Sequence, residues 1–395
     1  MTTTEAHPVS SEEFAQVRET VRDFVRREVV PREKEIADTD AIPQDVRDGA
    51  AAMGLFGYAL PQEFGGLGLN LVQDVELAFE FGYTSLAFRS LFGTNNGIAG
   101  QVLVGYGTKN QQERWLRPMT EGTCIASFAL TEPEAGSDPS GLRSTATWTG
   151  SEWIIDGRKR FITNAPLAGV FVTFARVCGT DASDGKIAVF LIPAEADGVV
   201  VAPKDRKMGQ EGATTSDVSF EGVCVDEDAL VSGRVEDGFR AAMTVLARGR
   251  VHIAALAMGL AERALDESVS FSAVNVQGGV PTGDRQLVQA MLAEQQSMLM
   301  AGQAAARHAA RVYVDGSDRR IAPSAAKLFC TEAADRVADL AVQVHGGSGY
   351  MRESTVERLY RDVRLLRLYE GTSEIQKLII GRELMRRERA QTASG

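Results

Sequence analysis

Cysteine is scarce in this 395-residue sequence, and the four present (Cys124, Cys178, Cys224 and Cys330) lie far apart with no C-x-x-C pair. That excludes a disulfide scaffold and a zinc ribbon, and it fits a reducing, cytoplasmic setting. Histidine is equally sparse. His7, His252, His308 and His345 are scattered, so no H-E-x-x-H zinc site exists, and each reads as an ordinary core or surface residue. With 12 prolines and 39 glycines the chain falls well below the roughly 25–30% share that marks low-complexity disorder. No apolar run approaches the roughly 18–20 residues that span a bilayer. The opening stretch MTTTEAHPVSSEE has neither the basic nor the apolar region of a signal peptide. Positive charge is in deficit, with 42 Lys and Arg against 53 Asp and Glu for a net charge of −11, which disfavours a nucleic-acid partner.

What is present suits a large folded protein. Hydrophobic residues make up 44% and charged residues 24% of the chain, and the length predicts two or three domains at roughly 150 residues each. Apolar spacing is helical from residue 10 to about 122. Phe14, Val17, Val21, Phe24 and Val25 share a face, Ser10 and Glu13 suit a capping box, and Pro31 is expected to stop that helix. The Gly-rich loop Leu60–Gly68 (LPQEFGGLG) interrupts the region, and Gln111–Met119 closes it as a helix.

From about 123 the texture becomes strand-like. Thr145–Trp148 and Trp153–Ile155 flank a T-G-S-E turn, and Asp156-Gly157 reads as a second hairpin turn before Phe161–Thr163. Val170–Ala175, Ile187–Ile192 and Asp217–Phe220 are further strands. Without helices between them, antiparallel pairing is expected. Helical spacing returns near 238. Helices are expected over Phe239–Ser272 and Leu287–Val314. A third carries the stripe Ala326, Phe329, Ala333, Val337, Leu340 and Val344 and ends at Gly346-Gly347. The expected organisation is α+β: an N-terminal helical domain (1–122), a middle antiparallel β-domain (123–235) and a C-terminal four-helix-bundle-like domain (236–395).

The usual nucleotide signatures fail. Gly105-x-Gly107 is followed by Asn110 where a third glycine belongs, and Gly179…Gly185-Lys186 has the wrong spacing for a P-loop. Three other segments combine glycine, hydroxyl and carboxylate residues. Phe128–Asp138 (FALTEPEAGSD) offers Gly136 for close backbone approach and Thr131 and Ser137 as hydroxyls. Gln343–Gly349 (QVHGGSG) ends a helix in glycines. In Leu368–Gln376 (LYEGTSEIQ), Glu370 follows Leu365–Tyr369, a setting whose desolvation suits a base working near neutral pH. Taken singly, the first reads equally as an ordinary loop, while the second reads first as a glycine helix stop and the third as a solvated loop glutamate.

Together they resemble the acyl-CoA dehydrogenase family, from the first helix to about Arg387. The matching stretches are LPQEFGGLG, FALTEPEAGSD, RFITN (Arg160–Asn164), KMGQEGATTSDVSF (Lys207–Phe220), ARGR (Ala247–Arg250), QVHGGSGY and LYEGTSEIQ, in the family's order. The resemblance implies an oxidoreductase acting on CH–CH groups, with FAD between the β-domain and the C-terminal helices and a dimer partner completing the site. It implies flavin contacts from Phe128, Leu130, Thr131, Gly136 and Ser137. Phe161, where many members carry Trp, and Thr163 would lie behind the ring. Gln343, Gly346 and Gly347 would reach the partner's flavin, and Thr372 and Glu374 would serve the diphosphate or adenosine region.

The same resemblance makes Glu370 the base that removes the acyl α-proton, with its own N–H among the donors to the thioester oxygen. Ser137, Arg250, Tyr369 and Gly371 would contact substrate. The product would be a trans-2-enoyl-CoA, with an electron-transfer flavoprotein as acceptor and a homodimer or homotetramer as the assembly, in fatty acid metabolism. Some members place the base at the position matched here by Gly249, which leaves Glu370 without a rival.

The pattern breaks at Asn275, where the family usually carries an Arg for the partner's FAD diphosphate. Loss of that contact costs about 1.5–3 kcal/mol unless Arg285, beside Gln286, replaces it. Two alternatives share the fold. One is a catalytically silent subunit of a hetero-oligomer; the other is an acyl-CoA oxidase or flavin monooxygenase.

Overall fold

The computed structural model describes residues 9–180 and 183–394, so His7 falls outside it. The N-terminal region is helical: α1 (Ser11–Phe24), α2 (Glu33–Thr39), α3 (Gln44–Ala52), α4 (Leu71–Gly82), α5 (Leu86–Asn96), α6 (Ile98–Tyr106) and α7 (Lys109–Thr120). The Ser10/Glu13 capping box opens α1 as its sequence predicts. Pro31 does not stop the chain there. It sits at the start of a tight turn, Val30–Arg32, where a missing N–H costs nothing, and the helical path continues into α2. Val21 and Val25 are buried, while Phe14, Val17 and Phe24 pack against the same core from its edge.

The middle region holds β1 (Ile125–Ala129), β2 (Thr145–Trp148), β3 (Trp153–Thr163), β4 (Ala168–Cys178), β5 (Ile187–Pro193), β6 (Val199–Val201) and β7 (Thr215–Val225). The sheet order is β1-β4-β2-β3-β7-β6, with β5 also on β4. Most pairs are antiparallel, but β1 and β2 both run parallel to β4, so the sheet is mixed. The β2–β3 hairpin supplies the long connection that parallel neighbours require.

Asp156-Gly157 makes no hairpin. β3 runs straight through it, and the register against β7 slips there as a bulge with Gly157 at φ +148. A Cβ on Gly157 would come under 3.0 Å from Ser144, so glycine allows close approach of β2's leading segment.

The C-terminal region has α8 (Asp237–Val274), a small hairpin of β8 (Val276–Gln277) and β9 (Val280–Pro281), then α9 (Gln286–Val314), α10 (Ile321–His345), α11 (Thr355–Val363) and α12 (Ser373–Ser394). Helix α8 does contain an 18-residue stretch apolar enough to cross a bilayer by composition, contrary to the sequence expectation. Of that stretch, 83% is buried in the fold, so its apolar faces pack against α4, α9 and α10. The α10 stripe also departs at one position. Phe329 is exposed and Cys330 takes the core slot, because the fourth residue after Ala326 faces the same way.

Candidate functional site

One large cavity, of about 720 Å³, opens between the β-domain, α5 and the C-terminal helices. Its volume lies in the roughly 300–1,000 Å³ range of small-molecule and cofactor sites.

The first wall is the end of β1 and the loop after it. Phe128 is buried against Phe174, with ring centroids 4.8 Å apart, and Leu130 is buried beside it. The loop is pinned at both ends. Thr131 O accepts from Arg160 N at 2.8 Å. Glu132 accepts from Arg143 N at 2.6 Å, from Ser144 N and Oγ at 3.0 and 2.6 Å, and from buried Lys159 Nζ at 2.7 Å. Gly136 and Ser137 follow on the exposed rim of the cavity. Phe161 and Thr163 complete this wall from β3. Phe161 holds φ +57 and is 59% exposed on the cavity lining, with the Arg160 guanidinium over one face of its ring, 4.7 Å from the centroid.

The opposite wall carries the titratable groups. Glu370 sits in the turn between α11 and α12 with φ +54, followed by Gly371 at φ +90. Its Oε2 is buried and finds no hydrogen-bond partner among the described residues. A Cβ on Gly249 of α8 would lie under 3.0 Å from that same oxygen. Arg250, the next residue, is buried with its Nε also unpartnered; burial lowers its pKa, and the Glu370 charge pulls the other way. Tyr369 and Gly371 flank Glu370 on the lining.

Beneath this wall lies a buried polar chain. Arg89 of α5 lines the cavity and donates Nε to His252 Nε2 at 2.9 Å. An arginine only donates, so His252 Nε2 is the acceptor and Nδ1 carries the proton toward Asp74 Oδ1, 2.8 Å away. Tyr58 OH and Arg248 also reach Asp74, at 2.9 Å each. Burial alone would raise the Asp74 carboxyl, but His252, Arg248 and Tyr58 hold it well below the usual carboxylate range. Burial keeps His252 below its ordinary value, which agrees with a neutral ring.

The structure therefore brings together Phe128, Leu130, Thr131, Gly136, Ser137, Phe161 and Thr163 with Arg250, Tyr369, Glu370 and Gly371. It does not bring Arg285, Gln286, Gln343, Gly346, Gly347, Thr372 or Glu374 onto this lining. Thr372 caps α12, its Oγ1 accepting from Ile375 N at 3.4 Å, and Glu374 is exposed. Arg285 donates to Gln277 O at 2.9 Å, bracing the β8–β9 hairpin. Asn275 ends α8, donating its N–H to Phe271 O. Gly346 and Gly347 face open space, since a Cβ on either meets nothing within 4 Å. Sequence reasoning missed Arg89, on this lining, and Lys327 of α10, whose buried Nζ donates to Tyr369 O and Gly371 O on either side of Glu370. Each is one cation on a helix, with no local pattern to mark it. Gly249, a glycine inside a long helix, carried a weak signal.

Comparison with known proteins agrees along the whole chain. The acyl-CoA dehydrogenase N-terminal domain matches residues 11–123, the middle domain 127–223 and the C-terminal domain 236–385. An acyl-CoA dehydrogenase of Bacillus subtilis is 34% identical, with 95% of this chain and 98% of that one aligned. A 3-(aryl)acrylate reductase of Clostridium sporogenes is 35% identical, covering 95% and 99%. The solved acyl-CoA dehydrogenase of Bacillus anthracis complexed with FAD superposes with a TM-score of 0.89 at 27% identity, over 96% of this chain and 68% of that one. With three domains matched in order along its length, the chain belongs to the acyl-CoA dehydrogenase family of flavoprotein oxidoreductases.

Proposed function

We propose that this protein removes two hydrogens from an acyl-CoA thioester to give a trans-2-enoyl-CoA, with Glu370 taking the α-proton. The carrying observation is the Glu370 carboxylate, whose buried Oε2 faces the cavity with no internal hydrogen-bond partner. An oxygen left unsatisfied in this way is available to receive a proton. The residues suit FAD: the exposed Phe161 side chain and the Phe128–Ser137 loop form one wall, opposite the base. Bound there, FAD supplies the hydride acceptor, its N5, for the hydrogen leaving the β-carbon.

The chain's own residues do the rest. Glu370 N–H has no acceptor among the described residues and is free to donate to the thioester oxygen as enolate charge develops. Phe128 and Leu130 exclude water from the reacting face, and Ser137 at the rim suits the CoA moiety.

The residues remote from this cavity support a homodimer or homotetramer. Gly346 and Gly347 present bare backbone that this chain's packing does not require, which fits a cofactor bound to a second copy. Leu287, Met300 and Tyr350 are 81%, 66% and 83% exposed on the same helical region. The reading places the protein in the cytoplasm and in fatty acid metabolism, with an electron-transfer flavoprotein reoxidising it. The reverse reaction, reduction of an enoyl-CoA, is the second reading, favoured by the similarity to the Clostridium reductase. The same residues serve it by microscopic reversibility, and the electron partner sets the direction.

The test is Glu370→Gln. The variant is expected to purify yellow, retain about one FAD per chain and bind acyl-CoA, yet bleach the flavin about 1,000-fold more slowly under anaerobic conditions. Bleaching at the wild-type rate overturns the assignment. A colourless wild-type monomer that ignores added FAD overturns the enzyme reading and favours a silent subunit.

A further inference from the structure

Glu370 and Gly371 both hold positive φ, at +54 and +90, in the turn that presents the carboxylate to the cavity. A non-glycine residue in this region persists only where its surroundings over-determine it. The surroundings here centre on Lys327 of α10. Its side chain is fully buried, and no carboxylate comes within 4.0 Å of Nζ among the described residues. Its hydrogen bonds go to two carbonyls, Tyr369 O at 3.0 Å and Gly371 O at 2.5 Å, one on each side of Glu370. Gln376 Nε2 adds bonds to Gly371 O at 2.9 Å and Glu370 O at 3.4 Å.

These bonds fix more than the loop's position. In a trans peptide the N–H points opposite to the C=O of the preceding residue. With Tyr369 O drawn toward Lys327, the N–H of Glu370 is turned away from α10, and it meets no acceptor among the described residues. One ammonium group thereby orients both the carboxylate and the amide donor. Packing alone does not account for a lysine here. A buried charge without a direct ion pair is costly, and a methionine of similar length would fill the space. Burial pushes the Lys327 ammonium down to about 8, while the Glu370 charge pulls it up.

We propose that Lys327 is a positioning residue, holding the Glu370 turn so that the base and its N–H face the acyl-CoA together. This rests on Glu370 being the base, as argued above.

The experiment is a double-mutant cycle on the holoenzyme, reading the anaerobic rate of flavin bleaching. A panel of straight-chain, branched and aromatic acyl-CoAs identifies the fastest substrate. Its 3-thia analogue, which has no β-hydrogen to lose, reports binding. Lys327→Met is expected to keep FAD and bind the analogue within about threefold of wild type, while bleaching slows by about 100-fold, the scale of a lost transition-state donor. On the slow residual bleaching of a Glu370→Gln background the same change is expected to cost clearly less, about tenfold, because the carboxylate it positions is gone while the amide donor remains. Lys327→Arg, which keeps the cation and its donors, is expected to recover at least about tenfold.

Equal losses in both backgrounds, or no loss in the wild-type background, overturn the proposal. Loss of FAD by both Lys327→Met and Lys327→Gln also overturns it, since the lysine would then hold the fold and not the base. Failure of the underlying reading is distinct: Glu370→Gln alone would bleach at the wild-type rate.

Discussion

The Glu370 carboxylate occupies the space that any side chain at position 249 needs: a Cβ on Gly249 would fall under 3.0 Å from Glu370 Oε2. Helix α8 thus presents Arg248 to Asp74, Arg250 to the cavity, and between them a bare backbone against which the Glu370 carboxylate rests. Gly249→Ala separates stability from activity. Alanine in a helix interior favours folding by about 0.5–1 kcal/mol over glycine, yet the added methyl displaces the carboxylate. The expected outcome is an unchanged or higher melting temperature with flavin bleaching slowed at least about tenfold. A wild-type rate would mean that Glu370 reacts from another position.

Flavin retention is the readout at the broken position. Asn275 is only half-buried at the end of α8, with ordinary negative φ, so an arginine fits there without backbone strain. Asn275→Arg is expected to slow flavin loss on dilution by about tenfold, the equivalent of about 1.4 kcal/mol, and to lose that gain in high salt. Arg285 is already bonded to Gln277 O but stays exposed. If it serves the diphosphate, Asn275→Arg changes little and Arg285→Ala releases flavin instead. No change from either substitution means that the contacts of Gln343–Gly347 suffice.

His252 sets an acid limit. Its folded-state pKa lies below the ordinary value because of burial, and Arg89 Nε occupies its Nε2. Below pH about 6.5 the unfolded chain takes up a proton that the folded chain refuses, so stability falls as pH falls through this group. The contribution is at most about 1.4 kcal/mol per pH unit. Urea midpoints of wild type and His252→Gln, compared from pH 7 to 5, are expected to converge as pH falls. Parallel curves would mean that His252 titrates alike in both states.

The Lys159–Glu132 pair anchors the loop that forms the first wall. Lys159 is fully buried with Nζ 2.7 Å from Glu132. Lys159→Met leaves a buried carboxylate without its cation and is expected to cost about 3–5 kcal/mol. Adding Glu132→Gln is expected to recover only part of this, because Arg143 N and both Ser144 donors also depend on that carboxylate. Chemical denaturation measures both. A loss below about 1 kcal/mol for Lys159→Met would show that water reaches the site.

The helices and most of the strands were legible in the sequence because their signals are local. Ser10 and Glu13 cap α1 through contacts three residues apart, and the α10 stripe repeats with the helical turn. Pairing was less legible. The parallel alignment of β1 with β4 joins residues some forty positions apart. The Asp156-Gly157 dipeptide carries the same letters whether it turns a hairpin or, as here, makes a bulge.

By itself the sequence determined the three-part α–β–α order, and in its motifs it marked one wall of the cavity and the glutamate opposite, since each depends on short runs of residues. Only the tertiary structure decided how that glutamate is held. Gly249 makes room for it from α8, Lys327 binds its flanking carbonyls from α10, and Arg89 and His252 meet beneath it from α5 and α8. Residues separated by 40 to 280 positions converge there through helix packing, and neither spacing nor composition encodes that convergence.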